Sequence, residues 1–253
     1  MNKTQVRTEI DGSHATITFF TEDGLNVLSP DVLHSFGGAV AKISNHGRVR
    51  TAVIQAEGKV FLAGADVKVM DDYGVEDARR YAALGQDMFN DLAALPCVTV
   101  AAINGAALGG GLELALACDF RIAVKSAKLG LPEASLGLIP GWGGITRLTK
   151  LVGLSRAKRL FLSAMRVSAE DGLSYHLVDE IVNSVEDLRP RVAAFCRSFR
   201  SASPSAVALA KRAARDMDDI SAFADCFRTK DCREGITAFL EKRPASWMEE
   251  QTA

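Results

Sequence analysis

The chain has 253 residues, 48% hydrophobic and 24% charged, and its 30 Lys and Arg residues face 31 Asp and Glu, for a formal net charge of -1. That balance excludes a strongly basic nucleic-acid binder and a charged, disordered tail. A chain of this length buries roughly three quarters of its unfolded surface, and no run reaches the ~18 uninterrupted apolar residues of a membrane span, so a soluble protein with a large core is expected.

The first five residues lead into a polar, alternating segment with no apolar signal core, so the cytoplasm is the expected compartment. Strands are predicted at residues 6–10, 15–20 and 51–55. Small residues then follow in Phe61-Leu62-Ala63-Gly64-Ala65-Asp66-Val67-Lys68, where Asp66 suits the cap of a short helix. A plain strand-to-helix turn is the simpler alternative there. Helical spacing over 78–95 stops before Pro96, and a strand is predicted at 98–103.

Next comes Asn104-Gly105-Ala106-Ala107-Leu108-Gly109-Gly110-Gly111, which opens an apolar helix predicted at 112–118. A glycine in a helix interior costs about 1 kcal/mol relative to alanine, so a run of them needs a packing or functional reason. At a helix N-terminus such glycines expose backbone N–H groups with the helix dipole behind them, which suits an anionic or oxyanionic ligand atom. Glu113 falls in the first turn of this apolar helix. The dipole alone accounts for a glutamate there, but burial makes an unpaired carboxylate expensive.

A strand at 120–124 precedes Leu129-Gly130-Leu131-Pro132-Glu133, which runs on to Pro140-Gly141-Trp142-Gly143-Gly144. Glu133 is the only charge between Lys128 and Arg147. Two carboxyl groups in apolar, glycine-rich surroundings suit proton transfer, because desolvation lifts a carboxyl pKa toward the working pH. Backbone N–H donors beside them would complete an oxyanion site.

Two short helices split at Gly153 are predicted over 145–162, then a strand at 177–181. From Ser184 the strand signal disappears, and amphipathic helices are predicted at 185–199, 204–217, 220–229 and 231–243. Alternation of strands and helices up to 183 gives an α/β core, with 184–253 as a helical C-terminal layer.

The five cysteines are scattered, with no C-x-x-C pair, and read as reduced thiols. The four isolated histidines fit no metal pattern, so no metal site is expected. No G-x-S-x-G elbow, G-x-x-x-x-G-K-[ST] loop or G-x-G-x-x-G fingerprint occurs. Arg189, Arg191, Arg197, Arg200, Lys211, Arg212 and Arg215 are interspersed with acids and read as a solvated face instead of an RNA surface.

Taken together, Ala63-Gly64-Ala65-Asp66-Val67-Lys68, Gly105 to Ala115 and Pro132 to Gly144 resemble the crotonase family, the enoyl-CoA hydratase/isomerase superfamily, and the likeness extends to Glu234–Arg243 in the tail. The resemblance implies a spiral of ββα turns, C-terminal helices that build a homotrimer or a dimer of trimers, and an acyl-CoA thioester substrate with no further cofactor. It implies that the N–H groups of Ala65 and Gly110 form an oxyanion hole, that Glu113 takes a proton from water, and that Glu133 delivers one to Cα. Ala63, Asp66, Val67, Lys68, Gly141 and Trp142 would line the substrate site, and Phe239 and Lys242 would reach the nucleotide end of CoA from a neighbouring subunit.

Both glutamates together favour hydration of a trans-2-enoyl-CoA. The alternatives are an enoyl-CoA isomerase, a hydratase or dehydratase acting on carrier-protein thioesters, and a CoA- or RNA-binding member without turnover. The family's R-P-x-x-x-N segment is replaced by Thr21-Glu22-Asp23-Gly24-Leu25-Asn26, which keeps only the asparagine. Trp142 stands where a small residue is frequent, and either narrows the acyl pocket or packs under its loop.

Overall fold

The computed structural model describes residues 3–249. β1 (Gln5–Asp11) and β2 (His14–Phe20) form an antiparallel hairpin in which Asp11 pairs with His14. α1 (Pro30–His46) follows, capped by Ser29, whose hydroxyl accepts from the Val32 N–H, and ended by left-handed Gly47. No element is predicted at residues 30–46 from the sequence, and Gly37 and Gly38 lower helix propensity there. The apolar stripe Val32, Phe36, Val40 and Ile43 nonetheless buries completely against the sheet and outweighs the propensity deficit.

β3 (Thr51–Ala56), β4 (Val60–Leu62) and α2 (Val75–Ala94) form one turn of a repeating unit. β5 (Val98–Ile103), β6 (Ala106–Leu108) and α3 (Gly110–Ala117) form the second. β7 (Phe120–Val124), β8 (Lys128–Gly130) and α4 (Gly144–Val152) form the third, with a one-turn 3-10 helix at Pro132–Leu136 inserted. The first strand of every turn joins a six-stranded sheet and the second joins a four-stranded sheet, so the chain winds as a spiral. The parallel strand β5 is buried at all six positions, the continuous apolar run of a strand covered on both faces.

α5 (Leu154–Leu162), β9 (Arg166–Ser168), α6 (Ala169–Ser174) and β10 (Glu180–Val182) complete the two sheets, with Gly153 separating α4 from α5 as expected. The strand expected at 177–181 is shorter and later. Leu177 and Val178 are buried, but their N–H groups turn back to the Gly172 carbonyl and only Glu180–Val182 pairs with β7. Burial without ladder bonds produces the same apolar run as a strand.

The remainder is helical: α7 (Val185–Arg197), α8 (Pro204–Asp216), α9 (Asp219–Cys226), α10 (Lys230–Glu241) and α11 (Ser246–Glu249). α7 sends Leu188, Val192 and Cys196 into the main core. α8 is tied to it by the Lys211 ammonium, 2.6 Å from Asp119 and 2.7 Å from the Cys97 carbonyl. Among the basic residues of the tail, Arg191 pairs with Glu180, Arg212 with Asp225 and Arg215 with Asp216. All five cysteines are free thiols. Among the described residues no helix is long and apolar enough to cross a membrane.

Candidate active site

α2, the start of α3 and the segments that follow β4 and β8 enclose a cavity of about 430 Å³, and the three segments singled out in the sequence meet at it. Ala63, Ala65 and Val67 line one side, Gly110 and Glu113 of α3 the back, and Glu133, Gly141 and Trp142 the other side.

The Ala65 side is set by Leu28. The Leu28 N–H donates to the Gly64 carbonyl at 2.9 Å and the Leu28 carbonyl accepts from the Asp66 N–H at 3.0 Å. Because this is a parallel bridge between Leu28 and Ala65, the N–H of Ala65 itself points away from Leu28. Asn26, fully buried, holds the same strip: its side-chain amide N–H donates to the Glu57 carbonyl and its main-chain carbonyl accepts from the Ala63 N–H.

Gly110 is the first residue of α3, so its N–H has no partner within the helix. The chain enters α3 through Gly109 at φ 52°, ψ -127°, a conformation open to glycine and closed to other residues. A Cβ on Gly64 would lie 3.1 Å from the Leu108 carbonyl oxygen and 3.7 Å from the Gly110 nitrogen, so the Ala65 strip runs close beside the start of α3.

Glu113 is 2% exposed. Its Oε1 accepts from the backbone N–H of Trp142 and of Gly144, each at 2.8 Å. Among the described residues Oε2 has no hydrogen-bond partner. Burial pushes its pKa up to about 7, against the opposing pull of the Gly144 N–H, and the nearby Glu133 pushes the same way as burial.

Glu133 sits in the 3-10 turn after Pro132. A Cβ on Gly109 would come within 2.9 Å of its Oε1, so the carboxyl lies directly over the entry to α3. Oε2 is buried and has no partner among the described residues, and burial raises the pKa of this group too.

Trp142 both packs and lines. It is 4% exposed, its indole N–H donates to the Tyr81 carbonyl at 3.1 Å, and its ring meets Tyr81 and Phe89 edge-on. The Arg147 guanidinium fixes the same loop by donating to the Trp142 carbonyl at 2.8 Å and to the Asn90 side chain at 2.6 Å.

Not every expected residue reaches the cavity. Asp66 caps the one-turn 3-10 helix Val67–Met70 by accepting from the Lys68 N–H, as a helix cap would, and Lys68 lies exposed on that turn. Phe239, 83% exposed, and Lys242, at the left-handed end of α10, stand outside the cavity of their own chain.

Tyr81, Ala78, Ala82 and Met70 line the cavity and are absent from the expected set. The signal that finds Tyr81 is Gly85, a glycine in mid-helix on the buried face Tyr81, Gly85, Phe89, Leu92. Such a glycine marks a close neighbour, and the neighbour is the Trp142 indole.

A family model described as enoyl-CoA hydratase/isomerase matches residues 9–251. A crotonyl-CoA hydratase of Syntrophomonas wolfei is 40% identical over 88% of this chain and 90% of its own length. A short-chain-enoyl-CoA hydratase of Clostridium acetobutylicum is 36% identical over 96% and 97%. Among solved structures, an enoyl-CoA hydratase from Bacillus anthracis superposes with TM-score 0.86 at 35% identity, covering 95% of this chain and 97% of that one. DspI of Pseudomonas aeruginosa superposes with TM-score 0.88, also at 35% identity, covering 98% of both.

Proposed function

The chain belongs to the enoyl-CoA hydratase/isomerase family, and from that premise we propose how its site works as an enoyl-CoA hydratase, adding water across a trans-2-enoyl-CoA to give a 3-hydroxyacyl-CoA. The observation that carries the reading is the meeting of Glu113 and Glu133 in one cavity beside the glycine-borne N–H groups at the start of α3.

The thioester oxygen accepts from the N–H groups of Ala65 and Gly110. Both donors are held by backbone geometry, so they need no reorganisation as charge develops on that oxygen. Glu113, ionised, takes a proton from water as the water oxygen bonds to C3. The C2–C3 π electrons shift toward the carbonyl and form an enolate. Glu133, protonated, gives its proton to C2, and the carbonyl re-forms. The two carboxyl groups end with exchanged protonation states and are reset through solvent after product release. Every proton moves among water, substrate and two carboxyl groups, so the steps call on no cofactor beyond the CoA of the substrate.

Ala63, Val67, Gly141 and Trp142 border the acyl thioester, while Asp66 shapes the turn that carries Lys68 toward the nucleotide end of CoA. Phe239 and Lys242 complete that end from a neighbouring copy. The supporting observation is the exposed apolar series Met217, Ile220, Phe223, Phe227, Phe239 and Leu240 on residues 184–253, which a homotrimer or a dimer of trimers would cover. The protein works in the cytoplasm, where free thiols stay reduced.

The test is loss of the conjugated enoyl-thioester absorbance with crotonyl-CoA. Turnover that vanishes in Glu113→Gln and in Glu133→Gln supports the scheme. Full activity in either variant removes that residue from it.

A further inference from the structure

We propose that Trp142 closes the acyl site just beyond the reacting carbons and so restricts this enzyme to short-chain trans-2-enoyl-CoA thioesters, an inference that rests on the hydratase reading above. The indole lies wedged between α2 and α3. A Cβ on Gly85 of α2 would stand 2.3 Å from its Nε1, and a Cβ on Gly110 of α3 would stand 2.2 Å from its Cζ3. Both facing positions are glycine, so the ring occupies the whole gap between the helices.

The ring is also fixed in place. Its N–H donates to the Tyr81 carbonyl at 3.1 Å, and it stands edge-on to Tyr81 at 5.3 Å and to Phe89 at 5.7 Å. An indole bonded at its nitrogen and packed on two sides does not swing away without breaking those contacts.

Its place relative to the chemistry follows from two contacts. Gly110, whose N–H faces the thioester oxygen, touches one edge of the ring, and the N–H of Trp142 holds Glu113 Oε1 at 2.8 Å. The indole therefore shares the wall of the cavity with Gly110 and Glu113, and an acyl chain that continues inward past C3 runs against it. The remaining walls are Ala78 and Ala82 of α2 and Pro140, and beyond them Leu138 and Ile139 are 44% and 72% exposed. A longer chain therefore has two paths: displacing a bonded indole, or turning out to a rim that leaves its methylenes in water. Methylenes at the rim stay hydrated and gain none of the roughly tenfold each that a fitting pocket supplies, while methylenes directed inward strain the indole.

The experiment measures kcat/KM for trans-2-enoyl-CoAs of four, six, eight and ten carbons with wild type, Trp142→Phe and Trp142→Ala, and in parallel the calorimetric binding of butyryl-CoA and octanoyl-CoA. Wild type is expected to prefer four carbons over eight by about tenfold or more, and Trp142→Ala to raise the eight-to-four ratio by about tenfold. Trp142→Phe keeps a ring in the gap and is expected to fall between the two. Equal use of four and eight carbons by wild type, or a ratio unchanged in both variants, overturns the proposal. Should Trp142→Ala fail to fold, the wild-type series and Trp142→Phe decide. If no enoyl-CoA turns over while saturated acyl-CoA binding still weakens with length and recovers in Trp142→Ala, the wall stands and the hydratase reading falls.

Discussion

The Tyr81 hydroxyl donates to the Leu28 carbonyl across 3.0 Å, while the Tyr81 main-chain carbonyl accepts the Trp142 indole N–H. One residue of α2 thus ties the strip carrying Ala65 to the loop carrying the Glu113 anchor. In Tyr81→Phe the Leu28 carbonyl keeps its Asp66 partner, so a single buried hydrogen bond is lost, worth about 1 kcal/mol. If that bond positions the Ala65 N–H, kcat falls by roughly fivefold with KM nearly constant. A fall in Tm with kcat intact would make the bond purely structural.

Glu133→Gln keeps the shape of the side chain and removes its proton. Hydration is expected to drop by about 10²–10⁴-fold with acyl-CoA affinity within a few-fold of wild type, measured by absorbance and calorimetry. Exchange of the Cα proton of butyryl-CoA with deuterated solvent is expected to survive in Glu113→Gln and vanish in Glu133→Gln. The reverse pattern would exchange the two roles.

Glu113 also makes stability depend on pH. Its folded pKa of about 7 lies above the ordinary carboxylate value of 4.5, so the folded state binds the proton more tightly than the unfolded chain. Stability therefore falls as pH rises between those two values, by on the order of 3 kcal/mol from this group alone. Glu113→Gln stays neutral and its oxygen still accepts from Trp142 and Gly144. Denaturant titrations should show the variant more stable than wild type at pH 8 and nearly equal to it at pH 4. A stability gap that does not change with pH would rule this out.

Gly85 offers a test of the wedged indole. An exposed mid-helix glycine replaced by alanine gains about 1 kcal/mol. Here the added methyl runs into the indole, and Gly85→Ala is expected to cost about 1–3 kcal/mol. In a Trp142→Ala background the same change becomes stabilising. A double-mutant cycle by thermal unfolding reads this coupling, and additivity would show that the ring yields to the methyl.

The glycine-rich segments and the two carboxylates were legible in the sequence because their composition conflicts with ordinary structure. Three successive glycines before Leu112 and a lone charge at 133 in an apolar loop call for a packing or functional reason, and the structure supplies close packing for the glycines against Trp142 and Leu62. The four short strands β4, β6, β8 and β9, whose pairing forms the second sheet, were not legible, since three residues carry no period. α1 was not predicted, although Val32, Phe36, Val40 and Ile43 stand at helical spacing behind Ser29 and Pro30. Tyr81 escaped because an aromatic residue in an amphipathic stripe looks like core; Gly85 on the same face marks a close neighbour, and the hydroxyl contact with Leu28, 53 residues away, shows in the fold alone.

The link between Trp142 and Glu113 is made by a backbone N–H, while the closing of the acyl site is made by a side chain. Every residue except proline supplies that N–H. Position 142 can therefore change identity with the anchor of Glu113 retained, and substrate choice there is separable from acid–base chemistry. A lineage, or a directed library, that varied this one codon could explore acyl lengths while inheriting the same pair of carboxyl groups.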